Sequence, residues 1–433
     1  MEVRPGYKQT QVGAIPEDWQ LPALRSLVDP GRGVRYGIVQ PGSYDPQGRY
    51  MVRGQDYSDG WVDSSAIFRV SSTVEEPFKN ARIKAGDILI TIVGASTGRI
   101  ATTPGWLDGA NLTQTTARIA VSPDAADSSY CGYVLASWYG VRQVANYVKG
   151  GAQPGLNCGD IERFLIPLPP TKAEQRAIAT ALSDVDALLD GLGRLISKKR
   201  DLKQAAMQQL LTGKTRLPGF HGEWEVKPLK DIADVKTGPF GSSLHESDYV
   251  TEGTPIITVE HLGEFGVDHF NLPMVSEFDC RRLQAYSLAE GDIVFSRVGS
   301  VDRNALIRSA EAGWLFSGRL LRVRPDSRKA HAPFLSFEFH SEPFKAKVRS
   351  VAVGQTMASL NTQILNGIDV SLPPIREQIA IAAILTDLDA ELMALEARRD
   401  KTRALKQGMM QELLTGRTRL VKPEPVEPEA AYA

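Results

Sequence analysis

The stretch EQRAIATALSDVDALLDGLGRLISKKRDLKQAAMQQLLTGKTRL, residues 174–217, returns as EQIAIAAILTDLDAELMALEARRDKTRALKQGMMQELLTGRTRL, residues 377–420. At a constant offset of 203, 25 of 44 positions are identical. Each copy reads as one long helix. Pro169-Pro170 stops the preceding segment, and Thr171 with Glu174 three residues on has the spacing of a capping box. Apolar residues then follow at Ile178, Leu182, Val185, Leu189, Leu192 and Ile196, spaced 4-3-4-3-4, and again at Ile381, Leu385, Leu388, Leu392 and Leu395. That spacing puts them on one seam, as in a coiled coil. About 40 residues at roughly 1.5 Å each give a rod of roughly 60 Å. A lone helix with a bare apolar seam is unstable, so the two seams are expected to pack together. The alternative is that each helix docks on its own globular domain. Basic stretches follow, Lys198-Lys199-Arg200 and Arg398-Arg399, and Gly213 and Gly416 stand where a left-handed C-cap is favoured. Gly191 and Gly193 occur only in the first copy and predict a local weakening or bend.

Working outward, fainter matches extend the repeat at offsets near 205: Trp19 with Trp224, Asp63 with Asp268, Gly86-Asp87-Ile88 with Gly291-Asp292-Ile293, and Val93-Gly94 with Val298-Gly299. Each half is therefore a diverged region followed by a nearly constant helix. The diverged regions predict small α+β domains. Ile88–Val93 and Ile293–Val298 are β-rich runs introduced by Gly-Asp turns, while Tyr130–Val148 and Ala332–Val351 are candidate helices. The Pro- and Glu-rich tail, 421–433, predicts disorder.

Composition narrows the class. The 433 residues carry 50 Lys plus Arg against 51 Asp plus Glu, with 42% hydrophobic residues, as in a globular protein. No run of 18 apolar residues and no signal-like start occurs, so a cytoplasmic protein is expected, without membrane partners. Cys131, Cys158 and Cys280 are too scattered for a disulfide framework or a paired-cysteine zinc site, and the six histidines show no metal spacing. No metal or catalytic site is expected. Gly213-Lys214-Thr215 fails as a phosphate loop because Gln208 holds the earlier glycine position and the segment ends a helix. Gly191-Leu192-Gly193 lacks the third glycine and the preceding strand of a dinucleotide fingerprint. Asp184 and Asp186, two apart on a helix, point different ways and are expected to be solvated. What the duplication kept is seam, caps and turns, which is scaffold.

Taken in order, and twice, these residues resemble the specificity (S) subunits of type I restriction-modification systems. The carrying motifs are Val12-Gly13-Ala14-Ile15-Pro16-Glu17-Asp18-Trp19, Leu168-Pro169-Pro170 with Glu174-Gln175, Leu372-Pro373-Pro374 with Glu377-Gln378, and the twin Leu-Leu-Thr-Gly endings. The resemblance covers essentially the whole chain. It implies two target recognition domains, 1–165 and 218–369, related by a pseudo-two-fold axis. Two helical spacers, 166–217 and 370–420, would pack antiparallel as a coiled coil. It implies a non-catalytic subunit whose domains each read half of a bipartite site in double-stranded DNA, while the helices set the spacing and dock two modification subunits. A restriction (translocase and nuclease) subunit is a further implied partner. S-adenosylmethionine, ATP and magnesium are implied on the partners, with no cofactor on this chain.

Base-reading candidates lie in the glycine-bounded loops after the β-rich runs, Ser96, Thr97 and Arg99 in the first and Ser300, Arg303 and Asn304 in the second, with Arg297 near the end of the second run as a further DNA-binding candidate. Arginine can pair bidentately with guanine and asparagine with adenine. Arg32, Arg35, Arg53, Lys236, Arg319, Arg322 and Arg324 are candidates for phosphate contacts. For each, a solvated surface turn or charge is the competing reading. A self-contained DNA methyltransferase or nuclease would need a cofactor loop that is missing, and a coiled-coil adaptor would not need two diverged modules.

Overall fold

The computed structural model describes residues 4–58, 60–149, 154–239, 244–353 and 358–421, so the tail expected to be disordered lies almost wholly outside the described residues. The chain divides into two compact units, Met1–Gly191 with Arg399–Ala433, and Leu192–Arg398. The division falls inside both long helices, so each unit owns part of each.

In the first unit, strands Val34–Tyr36, Thr116–Ile119, Ile88–Thr91 and Ile100–Thr102 lie side by side in that order, all antiparallel. In the second unit, Ala233–Thr237, Leu320–Pro325, Ile293–Ser296 and Asn304–Leu306 repeat the order and orientation. The runs Ile88-Leu89-Ile90-Thr91 and Ile293-Val294-Phe295-Ser296 are buried on both faces, which explains why they read as continuous apolar stretches. One face of each packs under helices. The other meets a second, smaller sheet in which Arg49–Val52 pairs in parallel with Asn111–Leu112, and Thr254–Ile257 with Leu315–Phe316. The Gly-Asp turns have left-handed glycines, Gly86 at φ 84° and Gly291 at φ 89°. Their buried aspartates accept a backbone N–H, from Lys84 and from Ala289.

The two stretches expected as single helices each resolve into a pair. Ser128–Ala136 is followed by Trp138–Tyr147, and Ala332–His340 by Glu342–Val351. The breaks are chemical. Ser137 and Ser341 accept hydrogen bonds from the backbone N–H groups of Tyr139 and Phe344, starting a new helix at each serine. Behind the first break, a Cβ on Gly140 would stand 1.8 Å from the Leu135 carbonyl oxygen.

The long helices span Lys172–Leu210 and Ile375–Leu413, 39 residues each. The first runs unbroken through Gly191 and Gly193, around which a Cβ would meet no neighbour within 4 Å. Along the seams, Ile178, Leu182, Leu192, Ile196, Ile381, Leu385 and Leu392 are buried, whereas Val185, Leu189, Leu388 and Leu395 are half-buried. The first turns bury into globular cores. Ile178 and Leu182 join the core of the first unit, which also takes in Leu413 and Leu414, and Ile381 and Leu385 join the second with Leu210 and Leu211. Docking on a domain therefore accounts for the start of each seam. Among the described residues, no helix is long and apolar enough to cross a membrane.

Candidate nucleic-acid interface

The twice-repeated residues assemble one joint in each unit. Arg216, just past the end of the first long helix, makes a bidentate pair with Glu377 at the start of the second, both contacts 2.6 Å, with the Glu377 carboxylate fully buried. Arg419 makes the same pair with Glu174 and a second with Asp18 at 3.0–3.1 Å. The Glu377 carboxylate raises the Arg216 guanidinium above its ordinary value by accepting its hydrogen bonds. Each arginine also lies 5.9 Å from the ring centre of the repeated tryptophan, Trp224 or Trp19. The terminal glycines fit the same place. Gly213 has φ 67° and Gly416 φ 68°, and a Cβ would meet Trp224 at 3.3 Å and Pro16 at 2.4 Å respectively.

The glutamine beside each glutamate ties in the rest of the unit. The Gln175 side chain donates to the Pro169 carbonyl and accepts the Asp127 N–H, at the head of helix Ser128–Ala136. Gln378 does the same with Pro373 and His331. The expected capping box is thus only half made. Thr171 accepts the Glu174 N–H, but the Glu174 carboxylate is taken by Arg419.

Within each unit the helical segments run antiparallel. In the second, Lys199 pairs with Glu391, Arg200 with Glu396 and Lys203 with Asp389. In the first, Lys406 pairs with Asp186 at 2.5 Å, and Tyr133 donates to the same carboxylate at 2.8 Å. Asp186 is therefore an anchoring group, correcting its reading as a solvated charge.

The candidate reading residues fall into two sets. Several are consumed by the fold. Arg32 pairs bidentately with the turn aspartate Asp87, Arg53 with buried Asp56, and Arg324 with buried Asp292 at 2.7 Å. Asn304 is 1% exposed and donates to the Phe339 carbonyl, and Arg322, 5% exposed, pairs with Asp234. Two of these side chains are interior, and phosphate would have to displace a held carboxylate from the other three. Lys236 donates to the Ala285 carbonyl and lies over Tyr286, and Arg297 donates to the Gly318 carbonyl.

The second set stays at the surface. Arg35 and Arg99 are exposed, as are Ser300, Arg303 and Arg319, with Arg303 also donating to the Leu262 carbonyl. Ser96 and Thr97 are half-buried, and Thr97 donates to the Gly94 carbonyl at 2.6 Å. Gly94 and Gly98 take φ 103° and 92°, and a Cβ on Gly98 would meet Val144 at 2.7 Å, so this turn is tightly fixed.

Comparison with known proteins decides what this scaffold is. The profile of the type I restriction modification DNA specificity domain matches residues 46–198 and 221–403. The chain belongs to this family. It is 22% identical to the type I restriction enzyme MjaVIII specificity subunit of Methanocaldococcus jannaschii over 96% of both chains. It is 27% identical to the EcoBI specificity subunit of Escherichia coli over 52% of this chain and 46% of that one. The solved S subunit of the type I restriction-modification system from M. genitalium shares the fold, with a TM-score of 0.62 at 17% identity over 95% of this chain and 98% of that chain. It is thus a type I specificity subunit, a non-catalytic DNA-recognition component with duplicated recognition regions.

Further surface groups of the specificity subunit were not singled out from sequence. After Val34–Tyr36, Gly37 lets the chain cross the Leu112 carbonyl at a distance no Cβ allows, and Gly238 repeats the crossing over Ser317. Tyr36, Val39 and Tyr44 around this crossing are 47–53% exposed. The repeated strand–glycine pattern, Val34-Arg35-Tyr36-Gly37 against Val235-Lys236-Thr237-Gly238, is the signal that finds it. Among the described residues, no group of three His, Cys, Asp or Glu is arranged to hold a metal ion.

Proposed function

We propose that residues 1–165 and 218–369 each read one half of a bipartite site in double-stranded DNA, and that residues 166–217 and 370–420 form the antiparallel spacer that fixes the distance between halves. The same spacer docks two modification subunits, which carry S-adenosylmethionine, and the complex takes up a restriction subunit that uses ATP and magnesium. The observation carrying this reading is the duplication itself. Both units keep one sheet order and one Arg-Glu-Trp joint, while their loops differ. Like scaffolds with unlike surfaces suit an asymmetric split target, whose half-site separation follows from protein geometry.

Arg35, Ser96, Thr97, Arg99, Ser300 and Arg303 are the groups proposed at the duplex, the arginines as guanine or phosphate partners. Net charge supports a reader that works inside an assembly. The segments 1–165 and 218–369 carry 0 and −4, against +4 for 166–217 and +1 for 370–420. With so little positive charge the chain alone should hold DNA weakly.

The spacer is tested by inserting four residues at matched positions of both long helices and mapping methylated sites in the assembled complex. About 6 Å of added helix should widen the gap by one or two base pairs, at about 3.4 Å each, and leave both half-sites unchanged. An unchanged gap would remove the helices from this role.

A further inference from the structure

On the small sheet of the first unit, three aromatic rings wall a cavity of about 410 Å³ that also takes in Asp63. Trp61 and Trp106 meet at 79° with centroids 6.1 Å apart, and Tyr50 meets Trp106 at 87° and 6.3 Å. The Trp61 indole is fixed by donating Nε1–H to the Thr102 carbonyl at 3.2 Å, and Tyr57 backs its ring at 5.5 Å. Trp106 is 44% exposed, so its ring is open to solvent.

The fold does not demand these rings. In the second unit the register places Pro255 where Tyr50 stands and Ala310 where Trp106 stands, on an equivalent strand and turn. The angles also select the occupant. A planar base stacks flat against a ring, whereas perpendicular walls make a corner that suits a rounded group. Asp63 adds a formal negative charge at the rim. Its carboxylate accepts the Ser65 N–H at 2.9 Å, and those Ser65 bonds hold it below the usual carboxylate range, so it is ionised at neutral pH. Arg69 lies 4.1 Å over Tyr50 but does not line the cavity.

We propose that Tyr50, Trp61 and Trp106 form an aromatic cage that, with Asp63, binds an alkylated ammonium cation. Such a cation gains from the ring faces and from the carboxylate together. The proposal concerns this cavity alone and stands apart from the DNA-reading role.

The test uses the full chain and tetramethylammonium chloride, followed by the shift of the methyl proton resonance against sodium chloride at equal ionic strength. A saturable upfield shift is expected, abolished in Trp106→Ala and roughly tenfold weaker in Asp63→Asn. Both positions are at the surface, and equal melting temperatures would establish that the variants are folded. No saturable shift up to tens of millimolar, or one that survives Trp106→Ala, overturns the proposal. So would equal binding of neutral neopentyl alcohol, which would make the cavity merely apolar, or binding of thymidine in place of the cation, which would make it a base-stacking site.

Discussion

Glu377 and Arg216 show how much rests on single residues repeated across 203 positions. The carboxylate is wholly buried and its guanidinium 23% exposed, so removing one partner strands a charge. Glu377→Gln should lower the urea midpoint, while Arg216→Met with Glu377→Leu should cost less than the summed single changes. Additive losses would deny the coupling. Glu338 gives a prediction of opposite sign. It is 6% exposed, at the position Val134 holds in the first unit, and burial pushes its carboxyl up to about 7. A folded value above the ordinary 4.5 means the folded state holds the proton more tightly, so stability is present at low pH and falls as pH rises from about 4.5 through about 7. Glu338→Val should therefore raise stability by up to about 3 kcal/mol at pH 8, with the gain vanishing towards pH 4. Melting curves at the two pH values check this, and a gain independent of pH would contradict it.

The long helices make predictions of their own. Gly191 and Gly193 sit in an unbroken helix with open space where a Cβ would go. Changing both to alanine should stabilise the chain by about 1 kcal/mol each, read as a raised urea midpoint. Gly416→Ala should do the reverse, because φ is 68° and Pro16 would lie 2.4 Å from the new carbon, and it should cost more than Gly213→Ala, where the nearest atom is at 3.3 Å. These elements were legible in sequence because capping, periodicity and repetition agreed over more than 40 residues. The sheet was half legible. Ile88–Thr91 and Ile293–Ser296 announced themselves by apolar runs, but Val34–Tyr36 and Ala233–Thr237, short edge strands with charged residues, did not. The break at Ser137 was missed because a serine is an ordinary helix-interior residue until its side chain is seen capping the next segment, whereas Pro343, at the start of Glu342–Val351, marks the break at Ser341 in the sequence. The candidate interface was least legible. An arginine left at the surface and one paired with a buried aspartate look alike in sequence, and only the structure separates Arg35 from Arg32.

At the scale of the whole molecule, two units share a sheet order, a helix pair and a joint, and differ in the loops those parts hold up. The joint explains why the constant segments stayed constant. Glu174, Gln175 and Arg419 in one unit, and Glu377, Gln378 and Arg216 in the other, bind helix ends to globular cores. Change in the loops leaves that framework intact, as modular recognition requires. The most direct measurement replaces residues 1–165 with the corresponding region of another specificity subunit, assembles the complex with modification subunits, and maps methylated positions by sequencing. One half of the bipartite site should change while the other half and the gap stay fixed; a change in both halves would contradict the account.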